Sequence, residues 1–537
     1  MIGEASAQSV DHLALLPAYL AAVTAVAVLL TDLFVARWAA TVVVGVTGAV
    51  GVAVAAVYAV GQPARATFCG RLSGLDVGDW FACSYRADSR AALVALLFAA
   101  LTAGVLALSV PTLRTGTVPA GEYCFLLACS MTGGVVLGAA GDLITLIVAV
   151  ETLTLPLYIL VGLNRQRVTS AEAAVTFFIV SVASTAVALL GAALLYGAYG
   201  VVHLDLLAGV SGLGETVSVV VGGSADGQAR LARVGVVLLL VGLAFKVAAV
   251  PLHAWAPTTY DGAPLPVTAY LSTASKLGGV VAIVAVVTKG LSPQLAASGP
   301  VLAVLAVATM TVGNLVALRQ TRMVRLLAWS SIAQAGYILV PLAAAAGVAG
   351  RGVEEQTVAV AAVFAYTVFF VVLELAAFAA VVALRPAGGD GGTIAEYAGA
   401  ARRRPWISAA LVFALIGLAG LPPGLAGLFA KVTVVRSLLV GGAGWLALVV
   451  VANAVLGLVY YLRVSATLYA QPPAGASPPA GVVASPPRTG DGAVAWPVAW
   501  PVAWPVAWPV AVVLVAATIL AALLGFAPQM VFDAVAN

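Results

Sequence analysis

Charge is what this chain has least of. Only 9% of its 537 residues are charged, whereas 63% are hydrophobic and the mean hydropathy is +1.10. A soluble domain cannot bury that much apolar surface around one core. Runs of 18 or more apolar residues recur, and each could cross ~30 Å of hydrocarbon as a helix. The composition indicates a polytopic membrane protein in a lipid bilayer, and the net charge of +4 gives no argument for a nucleic-acid partner.

Cysteine and histidine are also rare, with four and three copies. No CxxC motif, Cys/His cluster or other ligand spacing is present, so we expect no metal and no redox centre on this chain. Cys69 and Cys83 share one polar loop and could form a disulfide if that loop faces an oxidising compartment. Cys124 and Cys129 lie in an apolar run and are interpreted as small core residues.

Hydropathy predicts about fourteen transmembrane helices. The first is expected to be retained, because no lysine or arginine precedes it as in a signal peptide. The spans cover roughly residues 14–34, 39–60, 91–111, 121–140, 142–163, 171–197, 234–253, 266–288, 298–318, 326–346, 357–384, 407–437, 443–467 and 510–530. Placing the N-terminus outside puts 13 of the 21 arginines on the cytoplasmic side. Both termini are therefore predicted to be external.

Proline interrupts two of these spans. In the seventh, "VGLAFKVAAVPLHAW" places Pro251 five residues after Lys246, and in the twelfth, "LAGLPPGLAGLFAKVTVV" places Pro422 and Pro423 before Lys431. Proline removes a backbone donor, which lipid tolerates only where the freed groups are buried or hydrated. Corresponding interruptions in two halves indicate a transporter built from repeats. The separations agree loosely, since Lys246 follows Glu151 by 95 residues and Lys431 follows Gln334 by 97.

Lysine is used almost only inside the membrane. The chain has four lysines, and three of them, Lys246, Lys276 and Lys431, fall within apolar spans. Burial can make a lysine give up its proton, whereas an arginine stays charged. A carboxylate from Glu151 would hold Lys246 protonated, and its withdrawal would let the proton leave, which makes the pair a switchable proton site. The alternative, that the pair only joins two helices, stays open.

The remaining polar residues of the spans have simpler interpretations. Asp32 and Glu374 are expected to make end-of-span or inter-subunit polar contacts. His253 is expected at the cytoplasmic end of its span, where a proton-entry role and a structural hydrogen bond are both open. Residues 468–509 form a Pro-rich linker with four tandem AWPV units, in which a proline at every fourth residue excludes a regular helix. A tolerated duplication explains the AWPV repeat, and an interfacial role for its tryptophans is the alternative.

Four long motifs resemble a known family. They are "DLITLIVAVETLTLPLYILVGLNR", "FKVAAVPLHAWAPTTYDGAPLPVTAYLSTASK", "NLVALRQTRMVRLLAWSSIAQAGY" and "GLAGLPPGLAGLFAKVTVV". Between about Glu122 and Tyr469 the chain resembles the proton-antiporter-like membrane subunits of respiratory complex I. The resemblance implies an all-α fold of about fourteen transmembrane helices, with two inverted five-helix repeats and broken helices 7 and 12. The implied domains are residues 1–120 (three helices with external loop 61–90), 121–289 (first repeat, helices 4–8), 290–467 (second repeat, helices 9–13), 468–509 (linker) and 510–537 (last helix).

The resemblance also implies roles for the intramembrane residues. Glu151 would be the glutamate of the fifth helix and Lys246 its partner, Lys276 the central lysine of the eighth helix, and Lys431 the lysine nearest the external exit. Two positions depart from the family pattern: Gln334 stands where histidine is expected, and "LELAAF" places Glu374 in a span. A glutamine can orient water but cannot titrate near neutral pH. The proton route between Lys276 and Lys431 would then use water or Glu374.

The implied function is proton translocation within an NADH:quinone oxidoreductase of a bacterial cell membrane. NADH, FMN, the iron–sulfur clusters and the quinone would bind to partner subunits, and a sibling antiporter-like subunit would be among the membrane partners. Two alternatives remain. One is a subunit of a multi-subunit cation/proton antiporter, and the other is a membrane scaffold that transports nothing.

Overall fold

The computed structural model describes residues 10–72, 80–165, 167–211, 225–290, 295–347, 353–471 and 506–536. Most of the Pro-rich linker and of the AWPV repeat lies outside these ranges. Apolar helices make up most of the first half of the described chain: α1 (Leu16–Val35), α2 (Trp38–Ala59), α3 (Ser89–Arg114), α4 (Ala120–Gly138), α5 (Leu143–Gly162), α6 (Val168–Tyr199), α7 (Leu204–Ser211) and α8 (Ala225–Ala244).

The second half is helical as well, with several short pieces. Its α-helices are α9 (Trp255–Gly262), α10 (Leu265–Tyr270), α11 (Lys276–Ala285), α12 (Leu295–Ala317), α13 (Met323–Gly347), α14 (Val353–Leu384), α15 (Ala400–Arg403), α16 (Pro405–Ala419), α17 (Leu425–Val440), α18 (Gly444–Tyr469), α19 (Trp508–Phe526) and α20 (Gln529–Ala536). Two π-helical turns, Leu271–Ser275 and Val286–Gly290, flank α11, and a 3₁₀ turn covers Ile394–Tyr397.

The prediction of a polytopic helical membrane protein is confirmed. Within the described ranges, thirteen helices are long and apolar enough to cross a membrane, if α10, α11 and the π-helical turns are counted as one. The twelfth predicted span, 407–437, consists instead of the shorter helices α16 and α17. The seventh, 234–253, is helical only as far as Ala244. The inverted repeats and the domain boundaries stay predictions.

One small sheet adds to the helical fold. Strands β1 (Arg65–Leu72) and β2 (Trp80–Ala87) pair antiparallel, with Cys69 opposite Cys83, and a disulfide joins these two cysteines. The hairpin also contacts the α4–α5 connection, where the N–H of Arg86 donates to the carbonyl of Ala139 at 2.8 Å. From the sequence, a bond between these two cysteines was only one option. The disulfide lies in loop 61–90, which is predicted to be external.

Loops that the sequence places on one side of the membrane contact one another. On the predicted cytoplasmic side, Asp261 forms ion pairs with Arg322 at 2.9 Å and with Arg325 at 3.0 Å, and Arg322 also pairs with Asp390 at 2.9 Å. On the opposite side, Arg86 of the hairpin pairs with Asp205 of α7. These contacts agree with the alternation of the predicted spans, while the direction relative to the cell stays a prediction.

The helices differ in how deeply they are buried. In the apolar windows of α13 and of the α10–α11 span, 94% and 89% of the residues are buried, against 22% in α1. The first two therefore form the centre of the bundle, and α1 exposes an apolar surface suited to lipid or a neighbouring subunit. Lys276 and Gln334 both lie on these central helices.

Candidate functional site

The first interruption is a stretch of turns that links α8 to α9. Helix α8 ends at Ala244, and residues 245–254 form turns, with Ala248 at a φ of +57°. In a continuous helix the carbonyl of Val247 would accept from residue 251, but that residue is proline and has no N–H. Protein groups replace part of the lost helix bonding. The N–H of Val250 donates to Thr309 Oγ1 at 2.9 Å, and the Nε1 of Trp255 donates to the carbonyl of Phe245 at 3.3 Å. Residues 245–249 are thus buried in protein rather than exposed to lipid, whereas Pro251 and Ala254 lie at the surface.

Lys246 lies within these turns and forms an ion pair with Glu151 of α5. Its Nζ is 2.7 Å from Glu151 Oε1, 3.1 Å from Ser181 Oγ and 3.2 Å from Thr154 Oγ1. The lysine side chain is 3% exposed and the glutamate 20%. An ammonium has three N–H donors, so these three acceptors satisfy its charged form. The hydroxyl of Thr185 also donates to Glu151 Oε1, at 2.6 Å.

Helix α11 lies directly against this site. A Cβ added to Gly279 would come within 2.9 Å of the carbonyl carbon of Lys246, so the turns of the first interruption pack on the helix that begins with Lys276. Lys276 follows a π-helical turn, a feature that often occurs at functional sites. Its side chain is buried, and its Nζ donates to the carbonyl of Ser331 on α13.

Glu374 is fully buried inside the chain on α14. Neither of its carboxylate oxygens has a hydrogen-bond partner among the described residues, and it interacts electrostatically with Lys276. The expectation of an end-of-span or inter-subunit contact for Glu374 is therefore wrong, because the packed centre of one chain surrounds it. For Asp32, near the end of α1, the end-of-span position is correct: its carboxyl carbon would lie 1.9 Å from a Cβ on Gly121.

The second interruption leaves a backbone carbonyl without its helical hydrogen bond. Helix α16 ends at Ala419, and the carbonyl of Leu418 has no helical donor, because residue 422 is proline. Two side chains take the place of that donor. Lys431 Nζ donates to Leu418 O at 2.7 Å, and Gln334 Nε2 donates to the same atom at 3.1 Å. The proline thus supplies an acceptor that brings Lys431 and Gln334 together.

Tyrosines complete the surroundings of Gln334 and Lys431. The hydroxyl of Tyr366 donates to Gln334 Oε1 at 2.6 Å, and Gln334 Nε2 donates to the hydroxyl of Tyr461 at 3.1 Å. Lys431 Nζ lies 5.4 Å from the ring centroid of Tyr337. These three tyrosines were not predicted from the sequence. A buried tyrosine needs a partner for its hydroxyl, but in helices that are apolar all round the sequence does not show which ring meets which group.

His253 lies away from the charged groups. Its Nδ1 is 3.2 Å from the carbonyl of Pro251, and its ring packs edge-on against Trp329 with 5.2 Å between centroids. Of the two alternatives, the structural hydrogen bond is present. Within the described part of the chain, no three His, Cys, Asp or Glu side chains come together as a metal site.

Comparison of the sequence with known proteins identifies a family. Residues 140–457 match the family described as "NADH:quinone oxidoreductase/Mrp antiporter, TM". A protein of Salinispora tropica named NADH-quinone oxidoreductase subunit N is 61% identical over 532 residues, which is 99% of each chain. This chain belongs to the family of NADH-quinone oxidoreductase subunit N. Subunit N 2 of Streptomyces griseus is 42% identical over 485 residues, or 89% of this chain and 86% of that protein.

Solved structures share the fold. The chain is similar to one in respiratory complex I from Thermus thermophilus, with a TM-score of 0.72, 26% identity, and coverage of 96% of this chain and 98% of that one. It is also similar to a chain of the Mrp complex from Dietzia sp., with a TM-score of 0.73, 23% identity, and coverage of 98% and 96%. The similarity to the Mrp chain is a similarity of fold alone. The resemblance to antiporter-like membrane subunits of complex I, stated from four sequence motifs, is confirmed.

Proposed function

We propose that this chain is a proton-translocating module of an NADH:quinone oxidoreductase in the bacterial plasma membrane, with both termini external. Glu151, Lys246, Lys276, Glu374 and Lys431 would carry the proton through the membrane interior. NADH oxidation and quinone reduction would take place on partner subunits that hold FMN and the iron–sulfur clusters. Family membership and a near full-length relative that bears the subunit name support this assignment.

The observation that carries the proposal is the Glu151–Lys246 ion pair within the first interruption. A lysine that is 3% exposed and 2.7 Å from a carboxylate is held in its charged form. Removing one partner of a buried pair leaves an uncompensated charge, which costs ~3–5 kcal/mol. A movement of Glu151 away from Lys246 would therefore drive the lysine to give up its proton. A charge change in a neighbouring subunit is the proposed trigger for that movement.

The proton would then pass along the three lysines. Lys246 would release it towards Lys276, and Lys276 would pass it towards Lys431, from which it leaves on the external side. Glu374 interacts electrostatically with Lys276, while Gln334 shares the carbonyl of Leu418 with Lys431. Each charge moved against the membrane potential costs ~2.3 kcal/mol per 100 mV, so a passive leak must be prevented. A closed Glu151–Lys246 pair would serve that purpose.

Two substitutions test the role of Lys246. In the assembled complex in membrane vesicles, we expect Lys246→Ala to abolish NADH-driven proton uptake. Lys246→Arg should reduce it severely, because arginine keeps its charge. Proton uptake per electron is measured together with NADH oxidation, and Arg402→Ala, which removes an exposed cation, is the control. A normal ratio in both Lys246 variants would contradict the proposal.

A second candidate is a subunit of a cation/proton antiporter without a redox partner. It is considered because the matching family includes Mrp antiporters. Purification in mild detergent separates the two: NADH-oxidising and iron–sulfur subunits should co-purify with the chain under our proposal. Sodium-dependent transport without NADH would favour the antiporter instead. A scaffold that transports nothing predicts that conservative replacement of the lysines, such as Lys246→Arg, leaves pumping intact once assembly is verified.

A further inference from the structure

A charged cavity lies on the predicted cytoplasmic side, beside α9. Its volume is about 520 Å³, and its lining includes Glu172 and Thr176 of α6, Thr258 and Asp261 of α9, and Arg322. The side chain of Arg322 is 33% exposed, so the cavity opens at the surface. A space that is polar and this large holds water. Water therefore reaches the parts of α6 and α9 that lie nearest to the first interruption.

Three stacked aromatic rings lie next to the lining of this cavity along α6 and α9. Phe177 follows Thr176 on α6, and Trp255 lies one turn before Thr258 on α9. Phe177 and Trp255 stack with 4.5 Å between ring centroids and 17° between planes, and Phe245 packs on Trp255 at 5.2 Å. Each of the three side chains is at most 1% exposed. We call Phe177, Phe245 and Trp255 the aromatic barrier.

The other side of the aromatic barrier contacts the ion pair. Lys246 Nζ lies 5.4 Å from the ring centroid of Phe245. Tyr158, whose hydroxyl lies within 3.5 Å of Glu151 Oε2, packs edge-on against Phe177 at 4.8 Å. The barrier therefore lies between residues that line the charged cavity and residues that contact the Glu151–Lys246 pair. Phenyl rings cannot relay a proton, and the only N–H of the barrier side chains, Nε1 of Trp255, is bonded to the carbonyl of Phe245.

We propose that the aromatic barrier keeps the water of the charged cavity away from the Glu151–Lys246 pair, so that its opening controls proton exchange with the cytoplasmic side. The proposal rests on the proton role of Lys246. A permanently open path would let the pair exchange protons at every stage of the cycle, and the membrane potential would then drive protons backwards. The stacked rings prevent this with no charge of their own.

Reaction of introduced cysteines with a membrane-impermeant methanethiosulfonate tests the aromatic barrier. The assembled complex is placed in two vesicle preparations, inside-out and right-side-out, so that the reagent reaches one face of the membrane at a time. Thr176→Cys should react in only one of the two preparations. Ser181→Cys, beside Lys246, should react at least tenfold more slowly. Phe177→Ala combined with Ser181→Cys should restore fast reaction from that same face. The control is Phe178→Ala, which removes the neighbouring ring, 48% exposed at the protein surface. Reaction is measured at the introduced cysteine by peptide mass spectrometry, because Cys124 and Cys129 remain.

Fast reaction of Ser181→Cys behind an intact Phe177 would overturn the proposal, as would unchanged slow reaction after Phe177→Ala. If the alanine variant does not assemble, Phe245→Leu in the Ser181→Cys background is tested for the same acceleration. The labelling does not depend on pumping, so its failure is distinct from failure of the proposed function. In the pumping assay, Phe177→Ala should keep NADH oxidation and lower the protons taken up per electron at least twofold.

Discussion

The three intramembrane lysines differ in the acceptor groups that bind their ammonium groups. Lys246 has a carboxylate and two hydroxyls as acceptors, whereas Lys276 donates to one backbone carbonyl and Lys431 to another. A full negative charge holds an ammonium more firmly than a carbonyl dipole does. Lys246 is therefore suited to retain its proton until its partner moves, while the other two are suited to pass a proton on. Under the proposed function, a gate followed by a relay would account for an ion pair at contact distance on the first of these three lysines alone.

The buried charges of Lys276 and Glu374 allow a double-substitution test. Lys276→Met should destabilise the complex by ~3–5 kcal/mol, because Glu374, whose oxygens have no hydrogen-bond partner among the described residues, then loses the opposite charge of Lys276. Lys276→Met with Glu374→Leu should recover most of that loss, since both charges are gone. The unfolding temperature of the purified complex gives the comparison. Equal loss in the single and double variants would show that the two charges do not interact.

At the residue scale, the sequence predicted the charged groups better than their surroundings. The scarcity of lysine outside the membrane pointed to Lys246, Lys276 and Lys431. The structure places Lys246 within the first interruption, Lys276 at the start of α11 and Lys431 in the second turn of α17. The hydroxyls of Ser181, Thr154 and Thr185 around the ion pair were not predicted. They come from α5 and α6, and only the packing of these helices decides which of many intramembrane serines and threonines face Lys246.

Among the helices, the two interruptions serve different purposes. The first buries residues 245–249 and presents Lys246 to Glu151. The second leaves the carbonyl of Leu418 without a helical donor and lets Lys431 and Gln334 bind it. In both, a proline removes a backbone N–H that a continuous helix would need. The sequence predicted where these interruptions lie from proline alone, but not that α8 would end seven residues before Pro251, nor that π-helical turns would flank α11.

Pro422 can be tested as the origin of the second site. In Pro422→Ala, the new N–H can bond to the carbonyl of Leu418 and compete with Lys431 for that oxygen. We expect proton uptake per electron to fall at least fivefold, while the thermal stability of the complex does not decrease. Pro405→Ala is the matched control, because proline at the first position of α16 removes no helical hydrogen bond. Normal pumping in Pro422→Ala would mean that the free carbonyl of Leu418 is not needed.

For the molecule as a whole, burial and loop contacts position the site. The α10–α11 span and α13 form the packed centre, and the lysines and Gln334 lie on or against them. The hydropathy pattern predicted the number of spans closely because each must cross the same thickness of lipid. It could not predict the β1–β2 hairpin or the ion pairs between loops, since these depend on how spans far apart in the sequence pack. The alternation of the predicted spans did show which loops share a side, whereas the direction inferred from the arginines stays a prediction.

A network of ion pairs joins α9 and the start of α13 to the loop after α14. We call it the latch, and its members are Asp261, Arg322, Arg385, Asp390 and Glu396. Within the latch, Asp390 pairs with Arg322 at 2.9 Å and with Arg385 at 3.3 Å. Burial by itself would raise the pKa of Asp390, but the hydrogen bond and charge of Arg322, together with the charges of Arg385 and Arg167, outweigh it. The pKa of Asp390 therefore lies below its ordinary value. Its stabilising effect is present above the ordinary pKa of ~3.9 and is lost as the pH falls through the lowered value.

Substitution of Asp390 tests the latch. At pH 7, Asp390→Asn should lower the free energy of unfolding by only ~0.2–1 kcal/mol, because the side chain is 38% exposed and water screens its pairs. Between pH 5 and pH 3, the stability of the variant should fall less steeply than that of the parent, since the titrating group is gone. Thermal unfolding of the detergent-solubilised complex across this range gives both slopes. Glu172→Gln, which removes an exposed carboxylate from the same cavity, should leave the slope of the parent unchanged. Identical slopes for Asp390→Asn and the parent would mean that the latch does not hold α9, and with it the aromatic barrier, in place.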